Sequence, residues 1–403
     1  MWVYLSSVIH LDKRAMNSSV FSTWCVSGRQ THVEQRKMRN WSRKLGLAGV
    51  LAAGGYLLSG CSVAPPDNGF FKLLRFGVPD GITPEAKEIG NFWVWIWVAA
   101  WIVGIIMWGL MFYSSFAFRA KRKEKKGEKE FPRQTQYNIP LELVLTTVPI
   151  IIVMVIFFFT VQTEDKVTAM DKDPKVKVDV TAFQWNWKFG YNEVDGSLMG
   201  GDTYKGRDDS AQAAADGTKK IESSSRGEEG ASNPIHGNSK SDLSYLNFDK
   251  IETVGTTDEV PVLVLPSQTA IQFDLASADV IHSFWVPEFL FKRDAFPHPE
   301  ANKSNRKFQI EKIDKEGAFV GRCAEMCGTY HAMMNFEIRV VSPDKFRDYM
   351  DFRKDNPSAS NADALKAIGE QPYATSTHPF LPGREDTRDA NDNYVDNNQA
   401  EQS

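Results

Sequence analysis

Cys323, Glu325, Cys327, His331 and Met334 fall within one short run, Cys323-Ala-Glu325-Met-Cys327-Gly-Thr-Tyr-His331-Ala-Met-Met334. Two thiols, an imidazole and a thioether in a single loop form a soft donor set, and such ligands favour copper over magnesium or calcium. One further ligand has to come from elsewhere. His282, in Asp279-Val-Ile-His282-Ser, is the best candidate because it ends a predicted strand. Two Cys and two His would also suit a tetrahedral zinc, and Cys323 and Cys327 could close a disulfide in the metal-free protein. The offset of Met334 and export to an oxidising side of a membrane favour copper.

The elements that must hold this loop read as strands. Val176, Val178 and Val180 alternate with Lys177 and Asp179, the pattern of a half-buried strand. Beyond Thr181 the parity switches to Phe183, Trp185, Trp187 and Phe189, which predicts a bulge or bend within the strand. Val260 to Leu265, Ile271 to Leu275 and Phe336 to Val340 supply further strands. One strand ends at Gly321 and the next begins at Asn335, so the metal loop is slung between two strands and its ligands should move little on reduction. No long amphipathic helix is evident, and the expected domain is an antiparallel sandwich or small barrel. Residues 196–258 are rich in Gly, Ser, Asp, Lys and Glu, which predicts a long surface insertion without a core. Its sharper reading is a docking surface for a partner. The tail 346–403 is similarly polar and expected to be partly disordered, with a short helix near Ala362 to Ile368.

A net charge of −4 on 403 residues gives no argument for nucleic acid, and four cysteines are too few for a disulfide framework. Gly90 to Phe118 is uncharged and carries Trp93, Trp95, Trp97, Trp101 and Trp108, and Leu143 to Thr163 is a second uncharged run. Each is long enough to cross a bilayer, with tryptophans where an interfacial belt belongs. Arg119, Lys121, Arg122, Lys123, Lys125, Lys126 and Lys129 lie between them, and short basic loops stay in the cytoplasm. A hairpin over 91–163 with its basic loop at 119–133 therefore places both flanks outside. Residues 1–60 read as a leader and signal peptide, with Met38 a sensible start, a basic cluster at Arg36 to Lys44 and a short apolar run at Leu45 to Leu58. The ending Leu58-Ser59-Gly60-Cys61 resembles a bacterial lipoprotein box, which implies that Cys61 is lipidated and that 61–90 is an external linker.

With these residues in view, the chain resembles subunit II of cytochrome c oxidase from about residue 90 to 345. The run Cys-x-Glu-x-Cys-x-x-x-His-x-x-Met with an upstream Asp-x-x-His-Ser is specific to the dinuclear copper centre called CuA. The resemblance implies a two-helix transmembrane hairpin followed by an all-β, cupredoxin-like Greek-key domain at 164–345. It implies that Cys323 and Cys327 bridge two coppers, that His282 and His331 each cap one, and that Met334 and the Glu325 carbonyl are weak ligands. The Glu325 carboxylate would face a magnesium ion at the boundary with subunit I. Gln184-Trp185-Asn186-Trp187 resembles the family's aromatic patch, where electrons from the cytochrome arrive at Trp185. Asp279 and Asp294 match acidic positions near the cytochrome docking face, and Glu142 matches a carboxylate at the mouth of a proton channel. Two departures stand out: Ala295-Phe296-Pro297-His298-Pro299 replaces the usual Pro-Gly-Arg turn, and the insertion after Gly196 is extra. Together with a lipid anchor the insertion resembles the actinobacterial branch, which implies a membrane-bound di-heme cytochrome c of a cytochrome bc complex as donor within a supercomplex. No Cys-x-x-Cys-His occurs, so the chain carries no covalent heme of its own.

Overall fold

The computed structural model describes residues 64–119, 127, 136–170, 172–225 and 242–379. The leader, Cys61, most of the basic loop 119–133 and the tail beyond 379 lie outside the described residues.

A short helix α1 (Gly69–Leu73) precedes two long ones, α2 (Pro84–Ala117) and α3 (Ile139–Thr168). Thr83 caps α2, its hydroxyl accepting from Ala86 N, and Pro84 occupies the first turn, where its missing N–H costs nothing. Both helices are apolar and long enough to cross a membrane. They exceed the uncharged runs because their outer turns continue into the external domain.

Among the described residues that domain holds eleven strands in two sheets. The first contains β1 (Val176–Phe183), β2 (Asn186–Val194), β3 (Tyr204–Lys205), β4 (Glu252–Val254), β6 (Ile271–Ser277) and β9 (Lys307–Ile310). Its order is β3-β2-β1-β6-β9, with β4 also on β2. The second runs β5-β11-β10-β7-β8, from β5 (Val262–Pro266), β7 (His282–Val286), β8 (Phe291–Ala295), β10 (Gly317–Cys323) and β11 (Asn335–Val341). The sheets are mixed rather than antiparallel throughout, because β1 pairs parallel with β6 and β5 with β11. The parity switch near Thr181 is a reversal rather than a bend: β1 ends at Phe183 and β2 returns antiparallel to it from Asn186. A register irregularity does occur, earlier, between Lys177 and Val178.

Between the sheets lies an aromatic core of Trp187, Phe189, Phe273, Phe284, Phe308 and Phe336, all buried. Phe273 stacks on Phe308 at 4.7 Å and Phe284 on Phe336 at 4.8 Å. Gly321 in β10 is what admits Phe336, since a Cβ there would sit 2.0 Å from the ring. Gly321→Ala must push the ring or the strand aside, and overpacking of this kind costs about 1–3 kcal/mol. A lowered Tm of the external domain checks it.

Two stretches differ from their polar reading. The insertion 196–258 contributes α4 (Gly196–Met199), β3, α5 (Asp209–Ser225) and β4, and the small strands extend the first sheet. Leu246 and Ile251 are buried and Tyr204 packs on the core, so a few apolar residues suffice to seat a segment whose average composition is polar. Residues 226–241 lie outside the described residues. In the tail, α6 (Pro343–Asp355) and α7 (Asn361–Ala367) pack against the domain, α7 at the place of the expected short helix. Phe346, Tyr349 and Met350 stand at helical spacing on one face of α6 and are fully buried.

The domain is fixed to the hairpin by charge at the outer helix ends. Glu85, nearly buried, accepts from Glu311 N at 2.8 Å and pairs with Lys172 at 3.3 Å. Lys166 pairs with Glu88 at 2.9 Å, and Lys87 with Asp314. Ile82 exchanges backbone bonds with Glu288 O and Asp314 N.

Candidate metal centre

β10 delivers Cys323 at its last residue and β11 departs one residue after Met334, so the loop between them is tethered at both ends. Cys323 N donates to Met334 O at 3.2 Å and closes its neck. Ala324 N donates to Ser283 O at 3.0 Å, which ties the loop to β7. His282 begins β7, rather than ending a strand, and is fully buried.

The predicted donors converge. The Sγ atoms of Cys323 and Cys327 are 3.8 Å apart, and the ligand atoms of His282, Cys323 and Cys327 all lie within 4.8 Å of one another. His282 Nδ1 is 3.8 Å from Cys323 Sγ, and His331 Nδ1 is 3.5 Å from Cys327 Sγ. Met334 Sδ lies 3.9 Å from Cys327 Sγ, while the Glu325 carbonyl is 3.2 Å from Cys323 Sγ. Each histidine thus stands beside a different sulfur. Met334 is buried and Met333 only half-buried, as the motif offset requires. Two thiols, two imidazoles, a thioether and a carbonyl exceed the four ligands of a structural zinc, and the sulfur-rich set fits copper.

Electrostatics splits the sulfur pair. Burial alone would raise the Cys323 thiol, but the His282 hydrogen bond and the Ser283 and Glu325 backbone bring it down to about 7. Burial and then the neighbouring Cys323 sulfur push Cys327 up to about 12. His282 thus holds the pKa of the Cys323 thiol below that of its partner, and the two sulfurs lie close enough to be joined. Only a small closure separates 3.8 Å from a disulfide bond of about 2.05 Å. Metal-free external domain left in air is expected to lose both titratable thiols and its copper uptake, and a reductant to restore both. A thiol assay before and after copper addition checks this.

Other contacts surround the loop. Asp279, which the resemblance places near the docking face, turns its carboxylate inward. It accepts from Gln184 N at 2.7 Å, Val280 N at 2.7 Å and His282 Nε2 at 2.8 Å. It fixes which ring nitrogen of His282 faces the sulfurs. Burial would lower His282, but Asp279 and Cys323 outweigh it and raise the imidazole. Gln184 Nε2 and Trp185 Nε1 both donate to the Cys327 carbonyl, at 2.8 and 3.2 Å. Trp185 is half-buried, meets Tyr330 edge-on at 4.9 Å and covers Gly328, whose φ of 121° and 3.2 Å clearance from the indole suit only glycine. Trp187, expected only as part of the aromatic patch, donates to Met334 O at 3.2 Å from the core and meets the His282 ring at 6.3 Å. Its signal was its alternation with Phe189 along β2. Asp294 lies half-buried on β8, opposite Ser283. The Glu325 side chain is exposed. Glu142 is remote from the metal loop in sequence and position: it lies in the first turn of α3, where its Oε1 accepts from Asn138 N at 2.9 Å.

A family profile for the periplasmic domain of cytochrome c oxidase subunit II matches residues 241–341. Cytochrome c oxidase subunit 2 of Corynebacterium glutamicum is 65% identical over 358 residues, covering 89% of this chain and 98% of that protein. The chain belongs to the cytochrome c oxidase subunit 2 family. The subunit 2 of Mycobacterium tuberculosis H37Rv is 50% identical over 341 residues, covering 84% of this chain and 89% of that protein. Among solved structures, the periplasmic domain of subunit II of cytochrome oxidase from Bradyrhizobium japonicum covers 46% of this chain and 98% of its own, at 22% identity and a TM-score of 0.26. The chain is thus a membrane-spanning component of a heme-copper terminal oxidase, held with other oxidase subunits, its β domain outside the membrane. Family membership implies copper of the CuA kind, and the clustered His282, Cys323 and Cys327 fit it.

Proposed function

We propose that this subunit accepts electrons one at a time from a c-type cytochrome at a dinuclear CuA centre and passes them to heme in subunit I, where oxygen is reduced to water and protons are pumped. The observation that carries the reading is the convergence of both thiols, the His331 imidazole and the Met334 thioether in a loop tied at each end to the second sheet, with the His282 imidazole brought to them by β7. A thiolate-bridged copper pair, when bound, spreads an added electron over two metals, so that bond lengths change little. Cys323, Cys327, His282, His331 and Met334, with the Glu325 carbonyl, would hold it. The chain's own part is to keep those donors still: Asp279 orients His282, Trp187 holds the Met334 backbone in the core, and Gln184 and Trp185 grip the Cys327 carbonyl.

Trp185 is the residue at which electrons arrive, a role supported by its place between the protein surface and the Cys327 carbonyl. The donor is a membrane-bound di-heme cytochrome c within a supercomplex. Of the two docking carboxylates, Asp294 is the more available, since Asp279 spends its oxygens internally. Glu325 would hold magnesium against subunit I, Glu142 would stand at the inner mouth of a proton channel, and Cys61 would carry the lipid of a processed lipoprotein. The near-infrared and EPR spectra of the copper-loaded external domain test the centre. A mixed-valence pair is expected; a single bound zinc, or no sign of a delocalised electron, overturns it.

A further inference from the structure

The segment between the lipoprotein box and the first span is not an idle linker. Phe71, Leu74 and the turn at Phe76 lie against the outer part of α2: Phe71 meets Trp95 at 6.0 Å, Phe76 meets Trp97 at 4.4 Å, and Trp93 Nε1 donates to Arg75 O at 3.2 Å. Leu74 is buried, and Gly90 leaves room for the Arg75 guanidinium, 2.8 Å from where a Cβ would stand. Phe76 adopts φ of 51°, a conformation that bulky side chains avoid. The segment is therefore held in one shape against the helix.

Its other face is apolar and bare. Phe70 and Leu73, 63% and 69% exposed, stand three residues apart in α1 and share one side, and Phe76 in the turn that follows, although it meets Trp97, is still 51% exposed. Depth identifies what that side meets. Val98 to Ala117 is uncharged and ends just before Arg119; at about 1.5 Å per residue it spans the roughly 30 Å of hydrocarbon. The outer edge of the hydrocarbon then falls near Val98, and Trp93, Trp95 and Trp97 occupy the headgroup boundary where aromatic belts form. The segment touches those three tryptophans and so lies at the same level. Lys72 and Arg75 flank the apolar face, as in helices that lie in a membrane interface.

We propose that residues 69–77 form an interfacial foot whose Phe70, Leu73 and Phe76 insert into the outer leaflet beside the first span, so that lipid, and not another subunit, covers this face. The foot fixes the height and tilt of the outer end of α2, to which the β domain is tied through Glu85 and Lys87.

A photoreactive benzoylphenylalanine in the complete oxidase in native membranes tests this, introduced as Leu73→benzoylphenylalanine or Phe70→benzoylphenylalanine. A third variant places the probe at Lys303, exposed on an outer loop of the β domain, as the aqueous control. After irradiation, mass spectrometry of the subunit is expected to find phospholipid adducts at 73 and 70 and none at 303. A covalent link from 73 or 70 to another oxidase subunit, or adducts no more frequent there than at 303, overturns the proposal. Neither result bears on the copper centre, which its own spectra report.

Discussion

Cys323→Ser is expected to abolish the mixed-valence copper signal and electron transfer from the cytochrome, while membrane insertion and assembly with the other subunits persist. Serine has nearly the volume of cysteine, so the closely packed end of β10 is preserved, and the Cys323 N bond to Met334 O is untouched. What changes is the donor: a hydroxyl is harder and far less acidic than a thiol and does not replace a soft thiolate toward copper. The Cys327 sulfur would then have no second thiolate beside it with which to share the metals, only the Met334 thioether at 3.9 Å. Asp279→Asn sets the scale. It keeps the shape but removes the charge that orients His282, and a change of that kind typically weakens metal binding about 10–100-fold. Cys323→Ser should exceed it. Copper content per subunit and the near-infrared band decide the matter, and normal copper in the serine variant would refute the assignment.

The metal loop was legible because its chemistry is written locally: five donor residues within twelve positions, between two alternating runs, leave little freedom to the fold. His282 lay outside that run but was marked by its own Asp-x-x-His-Ser. The two spans were legible from length and lack of charge. A sequence shows that Asp279 is present but not which way it turns; its three internal bonds bring together the turn between β1 and β2, the Ser277–His282 loop and the imidazole. The parallel pairing of β1 with β6 could not be read, since alternation gives faces and not neighbours. Composition misled for α6, where Phe346, Tyr349 and Met350 are outnumbered by charge yet fall on one helical face. In the insertion, Tyr204, Leu246 and Ile251 are too widely spaced to form a pattern, and only the folded chain gathers them.

Glu337→Ala is expected to cost about 3–5 kcal/mol of external-domain stability, the range for breaking a buried ion pair from one side. Glu337 is fully buried on β11, three residues after Met334. One of its oxygens accepts from Arg339 Nη2 at 2.5 Å and Nε at 3.0 Å. The other accepts from Thr375 N at 2.6 Å, Ser376 N at 2.8 Å and Ser376 Oγ at 2.8 Å. Arg339, also buried, donates onward to Gln371 O and Tyr373 O at 3.0 and 3.1 Å. One carboxylate and one guanidinium therefore stitch residues 371–376 to the strand that leaves the metal loop. Alanine at 337 leaves the Arg339 charge only the more distant Glu370 carboxylate at 3.6 Å and strands two backbone N–H groups, which is why the loss should be a large share of the roughly 5–15 kcal/mol that holds a typical domain. Removing both charges together, Glu337→Leu with Arg339→Met, takes away the stranded cation and should recover part of the loss. It cannot recover all, because the N–H groups of Thr375 and Ser376 still lack an acceptor. Thermal unfolding of the three proteins gives the order wild type, double variant, single variant. Limited proteolysis should find the first new cuts in the single variant between residues 368 and 379, where those bonds were. If the single variant unfolds no earlier than the double, the buried carboxylate is not what secures this end of the chain.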